Sequence, residues 1–383
     1  MIERTYYANL AYNALQYLPA CALLGPRQCG KTTLALELGN YFEQVHHFDL
    51  EDHLDFIRFD SPKILLEGLK GLIIIDEIQR KPEIFLYLRV LLDRKKDIKL
   101  LLLGSASREL LWQSSETLAG RIQYISLTPF RLGEVNEVAQ LWERGGFPRA
   151  FIAPTEAVSE QWRKDYITTF LEKDLLALEA NISPQTMRKL WMMIAHYHGN
   201  ILNYSELSRS LAITDKRIRA QIDLLESAFM IRILQPWHEN IKKRQVKAPK
   251  LYVRDSGLLH TLLGLSGKAI YRHPKLGASW EGFALEQVLF TQEIDELDCY
   301  YWRTHDGAEL DLLVVKGGER IGYEFKYADV PKMTASMRIA INDLSLDALR
   351  VILPGDVHFM LHEKIEVVGL KQLGKQKLVL ATT

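Results

Sequence analysis

The most constraining feature of this chain is a complete phosphate-binding loop near its N-terminus. Residues 25–32 read Gly-Pro-Arg-Gln-Cys-Gly-Lys-Thr, which matches the pattern G-x-x-x-x-G-K-T. The apolar run 20–24 before it predicts a buried strand, and the run 33–38 after it predicts a helix. Glycines let such a loop wrap around phosphate, so that backbone N–H groups and the helix N-terminus face the anion. The chain is therefore expected to fold around a strand–loop–helix unit.

The residues of the loop have separate expected roles. Lys31 would reach the β- and γ-phosphates of ATP, and the Thr32 hydroxyl would bind Mg²⁺. A glycine-rich turn that matches by chance is the alternative, and the flanking strand and helix patterns argue against it. The predicted nucleotide contacts are Gly25, Pro26, Arg27, Gln28, Cys29, Gly30, Lys31, Thr32 and Thr33.

An apolar run at 72–75 ends in two carboxylates, Asp76 and Glu77. Continuous hydrophobicity is typical of a strand buried on both faces of a parallel sheet. The carboxyl ends of such strands share one edge of the sheet with the phosphate loop. We expect Asp76 to hold Mg²⁺ through its water shell and Glu77 to polarise the attacking water. The pair therefore predicts hydrolysis of ATP.

Two further residues are candidates for sensing the nucleotide. Ser105, at the tip of a predicted strand, would hydrogen-bond the γ-phosphate or the lytic water. The alternative is that Ser105 or Ser107 caps a helix that begins near Arg108. Arg121 precedes a fifth predicted strand, 122–127. It is a candidate arginine finger, in cis or across the interface of a homo-oligomer, with a surface ion pair as the alternative.

Composition favours an ordinary globular protein of two or three domains. The chain has 383 residues, of which 48% are hydrophobic and 25% charged. No apolar stretch approaches the roughly 20 residues needed to span a bilayer, and the N-terminus lacks the apolar core of a secretory signal. The three cysteines lie far apart and fit a reducing compartment. These features predict a cytoplasmic protein with no membrane partner.

Charge is unevenly distributed although the net charge is zero. Residues 1–183 have 21 Lys and Arg against 25 Asp and Glu, residues 184–275 have 16 against 6, and residues 276–383 have 11 against 17. The central segment is thus net +10 between two acidic segments. A surface of this sign favours binding of a polyanion such as DNA. The alternative is docking on acidic neighbours within the same chain.

The basic segment contains the pattern of a winged helix-turn-helix. Apolar residues occur at helical spacing in 204–211 and 215–225, with a short turn between them. Lys216, Arg217 and Arg219 would lie on or near the exposed side of the second helix, which in such units typically enters the major groove. We predict DNA binding by this segment, whereas packing of the helix pair against its neighbours is the alternative.

A hairpin is predicted in the C-terminal part of the chain. Residues 309–315 and 320–326 alternate as strands on either side of a turn at Gly317-Gly318. If this turn forms, two residues that lie opposite each other in the hairpin have residue numbers that add up to 635, as 317 and 318 do. Because side chains alternate between the two faces, several polar positions of both strands then share one face.

Four charged side chains would lie on that face, with Asp311 opposite Glu324 and Glu309 opposite Lys326. Two opposed carboxylates repel each other, and a divalent cation between them would remove the repulsion. We therefore expect Asp311 and Glu324 to bind Mg²⁺ or Mn²⁺, with Lys326 positioning or activating water. Glu281, on a predicted upstream helix, would reach the same site. The alternative is that the charges only pair, as Glu309 with Lys326.

Taken in order, the motifs resemble those of prokaryotic AAA-type ATPases with an uncharacterised C-terminal domain. This resemblance covers most of the chain and implies binding and hydrolysis of ATP. The segments that carry it are GPRQCGKTT, LIIIDEIQ, LLLGSAS, LAGR and residues 127–130, 144–148 and 170–175. Separately, residues 276–360 resemble the PD-(D/E)XK nucleases through Glu281, Asp311 and Glu324-Phe325-Lys326, which implies metal-dependent cleavage of nucleic acid.

We therefore predict an α/β chain with three domains. These are a P-loop NTPase (AAA-like) domain with a parallel sheet at 1–150, a winged helix-turn-helix-like basic domain at 151–275, and a PD-(D/E)XK nuclease-like α/β domain at 276–383. The predicted function is a Mg²⁺-dependent ATPase that acts on DNA and whose nucleotide state controls the nuclease-like domain. The alternative is an ATP-gated DNA- or protein-binding switch with an inert nuclease-like fold.

Overall fold

The computed structural model describes residues 2–105, 117–175 and 183–373. The chain divides into two compact units. Unit 1 consists of Met1–Pro129 and Ser227–Phe229, and unit 2 of Phe130–Glu226 and Met230–Thr383. The domain limits expected near residues 150 and 275 stay predictions. Among the described helices, none has the length and apolar character needed to cross a membrane.

Unit 1 is built on a five-stranded parallel sheet with the strand order β2-β3-β4-β1-β5. The strands are β1 Ala20–Leu24, β2 Val45–Asp49, β3 Gly71–Asp76, β4 Ile98–Gly104 and β5 Ile122–Ser126. All five residues of β1 are buried, as are the last five of β3. Their continuous apolar runs are required because a parallel sheet is covered on both faces. The predicted α/β fold with a parallel sheet is confirmed.

Among the described residues of unit 1, five helices accompany this sheet. They are α1 Thr5–Tyr17, α2 Lys31–Gly39, α3 His53–Arg58, α4 Pro62–Leu66 and α5 Ile84–Arg94, with a 3₁₀ turn at Ile78–Arg80. Helix α5 buries Ile84, Phe85, Leu88, Leu91 and Leu92, which recur at helical spacing. Apolar side chains of β1, β3, β4 and α5 form one core cluster, which fixes the sheet edge that carries the phosphate loop.

The first part of unit 2 is mainly helical. Its helices are α6 Val138–Arg144, α7 Pro148–Phe151, α8 Glu156–Thr169, α9 Pro184–Tyr197, α10 Tyr204–Leu211, α11 Asp215–Ser227 and α12 Ser256–Leu262, with a π-helical turn at Phe170–Asp174. Three strands, β6 Asn200–Ile201, β7 Ile231–Leu234 and β8 Lys250–Val253, form an antiparallel sheet with β8 in the centre. Both predicted helices of the basic segment form. The winged helix-turn-helix interpretation stays a prediction.

The second part of unit 2 contains a six-stranded mixed sheet in the order β13-β14-β12-β11-β10-β9. Its strands are β9 Cys299–Arg303, β10 Glu309–Lys316, β11 Glu319–Phe325, β12 Ala348–Leu353, β13 His358–His362 and β14 Ile365–Gly369. Its helices are α13 Leu276–Thr291, α14 Ala335–Asp343 and α15 Leu370–Leu373, with 3₁₀ turns at Gly267–Arg272 and Glu296–Asp298.

The hairpin of β10 and β11 has the predicted register, since Leu312 pairs with Tyr323 and Lys316 pairs with Glu319. The pairing of β10 with β9 shifts between Leu310 and Leu313. Such irregularities re-aim side chains locally, and Asp311 lies within this one. The likeness of this part of the chain to a nuclease fold stays a prediction.

Candidate functional site

The phosphate loop connects β1 to α2 and has the backbone shape that its glycines predict. Gly30 has φ of 99° and directly precedes α2, in a region of backbone space that glycine enters without strain. Gly25 is required for a different reason. A Cβ atom on Gly25 would lie 2.0 Å from the carbonyl oxygen of Leu127, so only glycine lets the loop start this close to the segment after β5.

Lys31 is buried and its ammonium group folds back over the loop. It is 5% exposed, and its Nζ donates to the carbonyl oxygens of Gly25 and Pro26, both at 3.0 Å. Hydrogen bonds from an ammonium to phosphate are stronger than those to neutral carbonyls. A phosphate bound in the loop would therefore take over these donors, which is the role predicted for Lys31.

Thr32 and Asp76 meet beside the loop. The Thr32 hydroxyl donates to Asp76 Oδ2 at 2.5 Å, and Asp76 Oδ1 accepts from the N–H of Glu77 at 2.9 Å. A hydroxyl and a carboxylate are oxygen ligands of the kind that Mg²⁺ prefers, and Mg²⁺ usually keeps several waters when bound this way. The donor set at this point fits Mg²⁺.

Glu77 is held in an unusual conformation next to this pair. Its φ of 52° places a non-glycine residue in the left-handed region, which is uncommon and often found at functional sites. Burial raises the pKa of the Glu77 carboxyl, and the nearby Lys31 charge opposes that shift. A raised pKa improves a carboxylate as a general base near neutral pH.

Gln79 joins Glu77 to the predicted sensor. Its side-chain amide donates to Glu77 Oε2 and, at 2.9 Å, to the hydroxyl of Ser105. The sequence motifs predict roles for Glu77 and Ser105 but none for Gln79, which lies two residues after Glu77. The alternative capping helix, with Ser107 and Arg108, lies outside the described residues.

Arg4 is a second residue that the sequence analysis missed. It is 5% exposed, and its guanidinium donates to the carbonyl oxygen of Cys29 at 3.0 Å and of Pro129 at 3.5 Å. Arg4 therefore ties the loop backbone to the end of unit 1. The residues next to Arg4 in the sequence form no pattern that predicts this contact.

Two further predicted residues, Arg27 and Arg121, form ion pairs, and Arg121 lies at the amino end of β5, at the opposite edge of the sheet from the phosphate loop. Arg27 forms an ion pair with Glu51 on the surface. Arg121 donates to both carboxylate oxygens of Asp93, at 2.8 and 3.2 Å. This contact is the surface ion pair named as the alternative, and the role of Arg121 as a finger toward a bound nucleotide stays a prediction.

A second group of predicted residues forms a buried cluster in unit 2. Asp311 and Glu324, 6% and 3% exposed, lie where β10 and β11 face each other. Lys326 Nζ lies 2.7 Å from Glu324 Oε2 and 3.8 Å from Asp311 Oδ2. The N–H of Phe325 donates to the same oxygen of Asp311 at 3.0 Å.

Lys250, which the sequence analysis counted only as part of the basic segment, lies on the other side of this cluster. It is 1% exposed. Its Nζ lies 3.1 Å from Glu281 Oε1 and 3.6 Å from Asp311 Oδ1, and it contacts Glu309 Oε1. Burial alone would lower the pKa of Lys250, but the surrounding acidic groups, Glu281 first, raise it well above its usual value. The ammonium therefore stays charged.

Glu309 does not pair with Lys326 as the alternative interpretation expected. Its carboxylate contacts Lys250 and also Arg303, whose Nη1 lies 3.3 Å away. The reason is that Arg303 is the β9 partner of Glu309 in the sheet, and Lys250 enters from another strand. We define Lys250, Glu281, Glu309, Asp311, Glu324 and Lys326 as the carboxylate cluster.

The metal site predicted from Glu281, Asp311 and Glu324 is not supported. Across residues 2–105, 117–175 and 183–373, no group of three or more His, Cys, Asp or Glu side chains is arranged to hold a metal ion. Two lysine ammonium groups, those of Lys250 and Lys326, lie against these carboxylates instead and compensate part of their charge. Burial, followed by the charge of Asp311, raises the pKa of both Glu281 and Glu324.

Three domain families match consecutive parts of the chain. Residues 18–136 match the family described as AAA domain. Residues 135–269 match a domain of unknown function, DUF8612, and residues 276–373 match another, DUF4143. With the loop, Lys31 and the Thr32–Asp76 pair, the first match supports an AAA-type P-loop ATPase domain in this part of the chain.

Two relatives match nearly the whole chain. It is 44% identical over 377 residues to "Uncharacterized protein Rv2008c" of Mycobacterium tuberculosis (strain ATCC 25618 / H37Rv) and to "Uncharacterized protein Mb2031c" of Mycobacterium bovis (strain ATCC BAA-935 / AF2122/97). Each alignment covers 97% of this chain and 85% of the relative. The chain belongs to the same family as these two proteins.

Two solved structures illustrate the similarity of this chain to known folds. One is the Walker-type ATPase PABY2304 of Pyrococcus abyssi, with 15% identity, coverage of 69% of this chain and 96% of that chain, and a TM-score of 0.48. Another is the RuvB Holliday junction branch migration motor of Thermotoga maritima, with 21% identity, coverage of 60% and 89%, and a TM-score of 0.30. These likenesses are too weak to refine the family assignment.

Proposed function

We propose that this protein is an ATP-driven switch in which Mg²⁺-dependent ATP hydrolysis in unit 1 controls binding of DNA by the basic segment of unit 2. The observation that carries the nucleotide chemistry is the convergence of Lys31, Thr32, Asp76 and Glu77 beside the phosphate loop. Lys31 binds the β- and γ-phosphates, and Thr32 with Asp76 holds the metal. Bound Mg²⁺ would neutralise charge on the phosphate oxygens.

Glu77 orients the attacking water and accepts its proton. Its burial and raised pKa support that role. Gln79 keeps the Glu77 carboxylate turned toward Ser105, so both side chains would respond together to the γ-phosphate. Thr33 and Gln28, exposed at the loop, complete the nucleotide contacts.

The first turn of α11 supports the DNA-binding part of this proposal. Lys216, Arg217 and Arg219 are exposed there, while Ile218 is fully buried and anchors the helix. The Arg219 guanidinium lies 3.9 Å from the centre of the Tyr204 ring on α10, which fixes the two helices in place. Cations in this arrangement would contact phosphates, and such contacts set affinity rather than sequence preference.

DNA affinity measured with and without ATP tests this proposal. We expect binding that weakens steeply with salt, that differs between the ATP-bound and ADP-bound protein, and that falls about tenfold or more in Lys216→Gln/Arg219→Gln, by loss of two phosphate contacts. Lys316→Gln, an exposed lysine at the β10–β11 turn, is the matched control and should bind like the wild type.

Two results would contradict this proposal. The first is a DNA affinity that changes neither with the bound nucleotide nor with the α11 substitutions, which would contradict the proposed switch. Cleavage of DNA in the presence of Mg²⁺ or Mn²⁺, lost in Asp311→Asn, would instead support the nuclease that the resemblance implies.

A further inference from the structure

The geometry points to Lys250 as the built-in cation of the carboxylate cluster. We propose that its ammonium group holds the position that a divalent cation would otherwise take, so that the cluster is closed to Mg²⁺ and Mn²⁺. This inference goes beyond the proposed function, because it concerns the chemistry of the cluster and not ATP or DNA. It also gives a chemical reason for an inert nuclease-like domain.

The contacts of Lys250 resemble those of a bound cation. Its Nζ meets three carboxylates, Glu281 at 3.1 Å, Asp311 at 3.6 Å and Glu309. An ammonium group has three N–H donors and no acceptor, so it matches a surrounding of oxygen acceptors. Tyr252 supplies another donor to these carboxylates, since its hydroxyl donates to Glu281 Oε1 at 2.6 Å.

The backbone of Lys250 is paired with a neighbouring strand on each side. In the three-stranded sheet, Lys250 pairs with Ile201 on one side and with Leu234 on the other. Lys250 and Tyr252 are two residues apart on β8, so both side chains face the cluster. Strand pairing on both sides therefore holds the Lys250 backbone beside the cluster.

Positive charge already lies on both sides of Asp311. Lys250 contacts Asp311 from one side together with Glu281 and Glu309, and Lys326 contacts Asp311 and Glu324 from the other. A divalent ion between Asp311 and Glu281 would lie next to the buried ammonium of Lys250. Because buried like charges are costly and buried carboxylates need a partner, metal and Lys250 exclude each other.

Binding of Mn²⁺ to full-length, nucleotide-free protein tests this inference. Titrations read by the electron paramagnetic resonance of free Mn²⁺ should show no cluster site in the wild type up to millimolar metal. Lys250→Met keeps the length and apolar stem of the side chain but removes its charge. This variant should bind Mn²⁺ at least about tenfold more tightly than the wild type, and Mn²⁺ should raise its unfolding temperature.

The double variant Lys250→Met/Asp311→Asn separates this site from the phosphate loop. It should lose the new site, whereas Mn²⁺ bound beside Thr32 and Asp76 would persist. A wild-type Mn²⁺ site that disappears in Asp311→Asn would overturn the inference, as would a folded Lys250→Met protein that binds Mn²⁺ no better than the wild type. If Lys250→Met does not fold, the comparison of wild type with Asp311→Asn decides alone.

Discussion

At the scale of single residues, the ATPase site depends on which hydrogen-bond partners its charged side chains have before a nucleotide binds. Lys31 donates to two carbonyl oxygens of its own loop, and Asp76 accepts from Thr32. Each of these contacts is to a neutral partner that phosphate or a metal ion would replace. The site is therefore preformed, and substitutions in it should affect binding and hydrolysis differently.

We expect Lys31→Ala to abolish nucleotide binding, because the loop loses its cation for the phosphates. Glu77→Gln should bind ATP normally and hydrolyse it about 10²–10⁴ times more slowly, the usual contribution of general acid–base catalysis. Fluorescent-nucleotide binding and steady-state phosphate release measure the two effects. Glu83→Gln, which changes an exposed carboxylate six residues after Glu77, is the control. Wild-type turnover by Glu77→Gln would refute the role of Glu77.

At the scale of elements, helix α13 decides where the carboxylate cluster forms. This helix is buried on nearly all sides, as expected of a helix that is apolar all round. Glu281 can reach Lys250 from this helix because the next residue, Gly282, has no side chain and lets the helix pack closely here. A Cβ atom on Gly282 would lie 2.3 Å from Nε2 of His198 and 3.1 Å from the Tyr252 ring. Close packing at Gly282 thus sets the position of Glu281.

Gly282→Ala should destabilise the protein by about 1–3 kcal/mol, because the overpacking cost exceeds the gain of about 1 kcal/mol in helix propensity. Gly277→Ala is a matched control in the same helix, since nothing lies within 4 Å of its added Cβ. Urea unfolding followed by circular dichroism compares the two variants. Equal stability of Gly282→Ala and Gly277→Ala would contradict the packing argument.

At the scale of the whole molecule, buried titratable groups make the stability of unit 2 depend on pH in opposing ways. Burial lowers the pKa of His198 to about 3 and that of His260 to about 4. His198 is held neutral because its Nδ1 accepts the N–H of Val253 at 2.9 Å while Nε2 lies 3.0 Å from the Ala278 carbonyl oxygen. Glu281 and Glu324 have raised pKa values, so they favour the folded state at lower pH.

The histidine contribution is measurable as a difference between variants. An unfolded histidine binds a proton below about pH 6.5, whereas folded His260 does not until about pH 4. The stability that His260 contributes is therefore present above about pH 6.5 and lost as pH falls, by at most about 1.4 kcal/mol per pH unit. The stability difference between wild type and His260→Gln should shrink accordingly between pH 7 and pH 5.

Urea unfolding at several pH values checks this expectation. His305→Gln, on an exposed turn, serves as the control and should leave the pH dependence unchanged. A difference between wild type and His260→Gln that stays constant over this range would show that His260 is not buried in its neutral form.

The features that the sequence by itself determined are local ones. The strand–loop–helix around Gly25 and Lys31 follows from residues adjacent in the chain, and the hairpin register follows from the turn at Gly317-Gly318. In both cases short-range geometry leaves one arrangement. The parallel sheet could likewise be predicted, because its strands need continuous apolar runs.

Only the tertiary structure decided how the charges are compensated. Lys250 is 31 residues from Glu281 and 61 from Asp311 along the chain, and Arg4, directly before the N-terminal helix, reaches the phosphate loop. The sequence patterns therefore predicted that the carboxylates bind a metal ion and that Lys250 belongs to a basic surface. The physical reason is that the energy of a buried charge depends on which partner lies within a few ångströms, and packing of distant segments determines that partner.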